Sequence, residues 1–196
     1  AVADRGRACY VQLSDWTKGQ LEMHLAYVTM QARGETDRLL SAFAARLEAK
    51  GTPLAGVVQT NTECVGTTKC DMDLRVLSGD GELIRISQSL GAGSRGCRLN
   101  PSALEQSVAL VTAALEQSPR LLIINKFGKH EADGRGFRPV IGEALLRGIP
   151  VLVGVNGLNA EKFLAFTEGA AEQMPADLDA LDSWLDRIAP LETQAA

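Results

Sequence analysis

The chain has 196 residues, 45% hydrophobic and 22% charged, with a net charge of −4. That length suits one domain with a buried core, and the composition excludes intrinsic disorder. No apolar stretch reaches the roughly 20 residues a membrane-spanning helix needs, and the overall acidity gives no electrostatic ground for nucleic-acid binding.

Residues 1–23 are weakly patterned and read as an N-terminal extension, with Met23 a candidate native start. Residues 1–10 lack the apolar segment of a secretory signal. Residues 24–190 read as a single α/β domain and 191–196 as a tail. A cytoplasmic location follows as an expectation, with Cys9, Cys64, Cys70 and Cys97 reduced.

Within the domain, residues 25–30 form a buried strand and a polar loop with Gly34 follows. A helix then runs to about Lys50, with Leu40, Phe43 and Leu47 on one face and Gly51 at its end. Residues 54–59 give a second strand and 60–70 a Thr-rich loop. Residues 71–77 and 82–88, joined by Ser78-Gly79-Asp80-Gly81, read as a β-hairpin. The glycine-rich segment 91–96 leads to Asn100-Pro101, an N-cap with proline in first position, and a helix striped by Leu104, Val108, Val111 and Leu115. Residues 120–125 form a strand, and a long basic loop follows. A helix over 140–147, a strand over 151–155 and helices near 160–169 and 176–189 complete the chain.

Strands alternating with helices predict a three-layer α/β domain with a mainly parallel sheet and an inserted β-hairpin. Ligands of such sheets bind at the carboxyl ends of the strands. The glycines and cations of this chain are concentrated in the segments that follow its strands.

Three of those segments carry candidate chemistry. After the first strand, Gly34-Glu35-Thr36 occupies the place where a phosphate-binding loop carries Gly-Lys-Ser/Thr. The glycine and the hydroxyl are present and an acid replaces the lysine. The alternative is an ordinary helix cap by Thr36 or Asp37. The segment from Gly91 to Arg98 offers backbone N–H groups through Gly93 and Gly96, the Ser94 hydroxyl, and the guanidinium groups of Arg95 and Arg98. A flexible turn is its alternative. After the strand ending at Asn125, the run from Lys126 to Arg138 places Lys126, Lys129, Arg135 and Arg138 among Gly128, Gly134 and Gly136. That composition reads as an anion-facing loop. A site at Cys70 and Cys97 stays open as a weak metal candidate. Trp184 reads as packing, and the acidic C-terminal segment as a solvated helix face.

Gln59, the run from Cys70 to Arg75, the run from Ile86 to Leu99 and the run from Asn125 to Arg138 together resemble an uncharacterised bacterial family, domain of unknown function 2478. The resemblance runs from about Leu25 to Trp184. It implies a nucleoside-triphosphatase-like domain, P-loop NTPase-like in topology, often encoded near molybdate-transport components. That family in turn resembles small P-loop nucleotide phosphatases, whose second motif reads Asp-Glu-Ile-Gly-Lys-Met-Glu. Gly128, Lys129 and Glu131 match that motif, whereas Asn125 and Lys126 replace its two acids. Glu35 falls at the P-loop lysine position.

The expected function is binding of a phosphate-bearing or other oxyanionic ligand, with degenerate hydrolysis motifs. The expected ligand-binding set is Gly34, Thr36, Gly93, Ser94, Arg95, Gly96, Arg98, Asn125, Lys126, Lys129, Arg135 and Arg138. One rival is a nucleoside triphosphatase that uses Mg²⁺ through Glu35, Glu131 or Asp73, with Glu131 the candidate catalytic residue. Another is a non-catalytic regulator with molybdate or a protein partner in molybdenum metabolism.

Overall fold

The computed structural model describes residues 23–62, 71–88 and 98–189. The elements in chain order are β1 (Leu25–Val28), α1 (Glu35–Ala49), β2 (Leu54–Thr62), β3 (Asp71–Val76) and β4 (Leu83–Arg85), followed by α2 (Pro101–Ala114). Then come β5 (Leu121–Phe127), α3 (Lys129–Ala132), α4 (Arg138–Leu146), β6 (Val151–Val155), α5 (Ala160–Phe166), β7 (Glu172–Gln173) and α6 (Leu178–Ile188).

The strands form one sheet in the order β4-β3-β2-β5-β6-β1-β7. Its β2-β5-β6-β1-β7 part is parallel. The β3–β4 hairpin adds antiparallel to β2. The fold is therefore the expected three-layer α/β sheet with an inserted hairpin.

β5 shows why the layers form. Alternate residues of a strand face opposite sides. Leu121 and Ile123 accordingly pack with Leu40, Phe43 and Leu47 of α1 and with Leu181, Trp184 and Leu185 of α6. Leu122 and Ile124 pack with Val111 of α2, Val140 and Ile141 of α4, and Phe163 of α5. Trp184 is core, as its sequence context suggests. Side chains cap two helix starts, the first at its expected Asn100-Pro101 signal. The Asn100 side chain accepts from the N–H groups of Ser102 and Ala103 at 3.1 and 3.3 Å, ahead of Pro101. The Asp177 carboxylate does the same for Asp179 and Ala180.

Several boundaries differ from expectation. β2 continues to Thr62 and β5 to Phe127, into segments that read as loops. In β5 the cause is Phe127, a buried ring against Phe163 and Phe166 that keeps the chain in the sheet. The basic segment after it folds a short helix, α3. The two-residue strand β7 carries no periodic signal and forms through pairing with Ala26 and Tyr27.

The connection leaving β1 leads to α1 on one face, and the one leaving β6 leads to α5 on the other. The connections of these two neighbouring strands thus diverge at the carboxyl edge and open the crevice where parallel sheets bind ligands.

Candidate functional site

At the carboxyl edge, α1 begins without a side-chain cap. Gly34 is its N-cap residue at φ 80°, and neither Thr36 nor Asp37 closes the helix. The cap alternative for these two residues is therefore corrected. Asp37 lies on the buried stripe of α1, three residues before Leu40 and seven before Ala44, and is only 5% exposed. A buried carboxylate needs hydrogen-bonding or charged partners, and β5 supplies them. The fully buried Asn125 donates its amide Nδ2 to Asp37 Oδ1 at 3.0 Å and accepts at Oδ1 from the Gln59 N–H at 3.1 Å. Lys126 Nζ lies 3.4 Å from Asp37 Oδ1.

Asn125 and Lys126 reach the same region because β5 is irregular there. Asn125 pairs with Gly154 and Phe127 with Val155, so Lys126 is the extra residue of a bulge. The Asn125–Lys126 peptide bond is cis. Across the strand, a Cβ on Gly154 would lie 2.7 Å from Leu40 Cδ1, 3.1 Å from Thr36 Cγ2 and 3.3 Å from the Asn125 amide. Glycine here lets the first turn of α1 sit directly on the sheet.

Two cavities meet at Lys126. One, of about 220 Å³, lies between the β1–α1 loop and the end of β6, and includes Arg33, Gly34, Thr36, Asp37, Asn156 and Gly157 in its wall. The other, of about 240 Å³, lies over β2, the hairpin and α3. Its walls include Met72, Leu74, Ile86, Leu99, Leu104 and Phe137, with Gln59, Asn125, Arg98, Lys129, His130 and Glu131. The first therefore has the cations Arg33 and Lys126 beside the acid Asp37. The second has Arg98, Lys126 and Lys129 beside Glu131.

That glutamate has a structural task. Its Oε2 accepts from the Gly128 N–H at 2.9 Å and its Oε1 from the Phe137 N–H at 3.2 Å, closing the loop that carries Lys129. Gly136, at φ 58°, allows this closure, because a Cβ there would collide with the Glu131 carboxylate. Glu131→Ala should destabilise the protein by about 2 kcal/mol by leaving two N–H groups unpaired. Urea unfolding would measure the loss, and a change below 0.5 kcal/mol would count against this staple.

Other expected site residues divide. Arg98 lines the second cavity while donating to Asp71 Oδ1 at 3.0 Å and to the Gln88 carbonyl at 3.2 Å. Arg135 is exposed beside Asp133 at 3.8 Å, and the Arg138 guanidinium stacks 4.5 Å from the Phe166 ring centre. Neither arginine is in the wall of either cavity. Gly93, Ser94, Arg95, Gly96, Cys70 and Cys97 lie outside the described residues, as do the extension ahead of Met23 and the tail. Among the described residues no three of His, Cys, Asp and Glu converge as a metal site. Asp73 is bound by Arg85 at 2.9 Å, so Asp73 and Glu131 both already have partners where Mg²⁺ would need an oxygen.

Sequence reasoning assigned no ligand role to Asp37, Arg33, His130 or Asn156. For Asp37 a signal was present: an acid in phase with Leu40, Ala44 and Leu47 on an apolar stripe. No such pattern marks the other three, which reach the cavities only through the fold.

The solution structure of a human cancer-related nucleoside triphosphatase has a similar fold, with a TM-score of 0.53 and 16% identity over 88% of this chain and 100% of that one. The molybdenum import ATP-binding protein ModC 2 of Bradyrhizobium diazoefficiens is 31% identical over 161 residues, 82% of this chain. Those residues are 18% of that protein, so the chain spans less than a fifth of its relative's length. No helix among the described residues is long and apolar enough to cross a membrane. Residues 25–184 match the family described as "Protein of unknown function (DUF2478)", and the chain belongs to that family.

Proposed function

We propose that the protein binds a phosphate-bearing or other oxyanionic small ligand at the carboxyl edge of its sheet, on the side of Lys126, Lys129 and Arg98. The observation that carries this reading is Lys129. It stands in the wall of a cavity with two further cations, and among the described residues it makes no ion pair. The β1–α1 loop is the poorer anion site, because Glu35 replaces a cation there and Asp37 lies beneath it. The P-loop-like fold and the ATP-binding relative favour a nucleotide among such ligands.

Calorimetric titration with ATP and GTP, each with Mg²⁺, and separately with molybdate, tungstate and sulfate, tests the reading. Saturable binding is expected, weakened at least tenfold by Lys129→Ala and also by Arg98→Ala. Unchanged affinity in both variants would remove the assignment.

A Mg²⁺-dependent nucleoside triphosphatase is the second reading, favoured by the fold and by Glu35 and the Thr36 hydroxyl in the first turn of α1. It requires Mg²⁺-dependent phosphate release that is lost in Glu35→Gln. A regulator of molybdenum homeostasis rests on the relative's name, and requires molybdate or protein binding without nucleotide binding.

A further inference from the structure

We propose that the ligand is an organic phosphate whose uncharged planar or apolar body enters the cavity beside Lys129, rather than a free tetrahedral oxyanion. This rests on the anion-binding reading above and names its ligand class. The walls and the charges of this cavity suit different parts of a ligand. Arg98, Lys126 and Lys129 supply the cations an anion needs, yet most of the remaining surface is apolar, from Met72, Leu99 and Leu104 among others.

A free oxyanion is hydrated on every side, and apolar walls offer nothing in return for the water they displace. A site built for such an ion surrounds it with donors. A phosphate ester of an aromatic or heterocyclic body suits this lining better. Its phosphate meets the lysines, and its body covers apolar surface that otherwise faces water. Met72 and Leu99 are half-buried, so their side chains still have surface for such a body to cover.

The test compares phenyl phosphate, AMP and GMP with inorganic phosphate and with adenosine, by calorimetry on the full chain. Leu99→Phe and Met72→Phe narrow the cavity from two different segments, one ahead of α2 and one in β3, and thermal unfolding checks that each variant folds. Phenyl phosphate and the nucleotides should bind at least tenfold more tightly than inorganic phosphate. Each narrowing variant should weaken them about tenfold and leave inorganic phosphate within twofold. If inorganic phosphate binds as tightly as phenyl phosphate, or if both narrowed variants bind all probes unchanged, the inference is overturned while the anion site stands. If no phosphate compound binds, this inference is overturned, and if molybdate, tungstate and sulfate do not bind either, the anion reading fails with it.

Discussion

Replacing Lys126 by Met should destabilise the protein by about 3 kcal/mol and abolish phosphate binding. The Asp37 carboxylate, 5% exposed, would lose the Lys126 ammonium and keep its other partners, the Asn125 amide among them. Breaking a buried ion pair typically costs about 3–5 kcal/mol, and Lys126 is about a third exposed, so the lower end applies. Pairing the change with Asp37→Leu separates stability from binding. The double variant removes the buried carboxylate and should regain part of the stability, since the Asn125 amide loses its acceptor, while phosphate binding stays lost because the cation is gone. Urea unfolding and calorimetry on the three variants measure both quantities. A single variant within 0.5 kcal/mol of the parent would show that the pair is not what holds this edge.

Gly154→Val carries the second large effect. The added Cβ would lie 2.7 Å from Leu40 Cδ1, closer than real side chains come, and 3.1 and 3.3 Å from Thr36 on α1 and the Asn125 amide on β5, where the neighbours must give way. Leu40 Cδ1 can swing aside, but the first turn of α1 cannot yield without moving Asp37 from Asn125. Overpacking of this kind costs about 3 kcal/mol. For a chain of this size that corresponds to a fall of roughly 6–12 °C in Tm. Gly154→Ala should show a smaller fall, since its nearest clash is with a flexible methyl group. A valine variant that melts with the parent would contradict the close packing of α1 on β6.

These two positions also show what was legible in the sequence. The apolar run 121–124, the Asn100-Pro101 start and the hairpin turn at 78–81 act locally, so their elements follow from composition and period. The site is less local. Asp37 reads as a helix cap when only its neighbours in sequence are considered. It is a buried partner of Lys126 because β5 lies beneath α1, across 89 residues of chain. Lys126 and Phe127 read as loop because the bulge that keeps them in the sheet depends on pairing with β6. Glu131 matches a nucleotide-phosphatase motif by position, yet here its oxygens bind the Gly128 and Phe137 N–H groups. Motif matching transfers a residue type, and only the surrounding backbone decides its task.

Amide NMR of the isotope-labelled full chain locates the bound anion directly. Titration with phenyl phosphate should shift the amides of Gly128, Lys129 and His130 the most, saturably, with smaller changes at Gly34 and Thr36. Largest shifts at Gln31 to Thr36, with the Gly128 to His130 amides unmoved, would place the anion in the β1–α1 loop and contradict a site at Lys129.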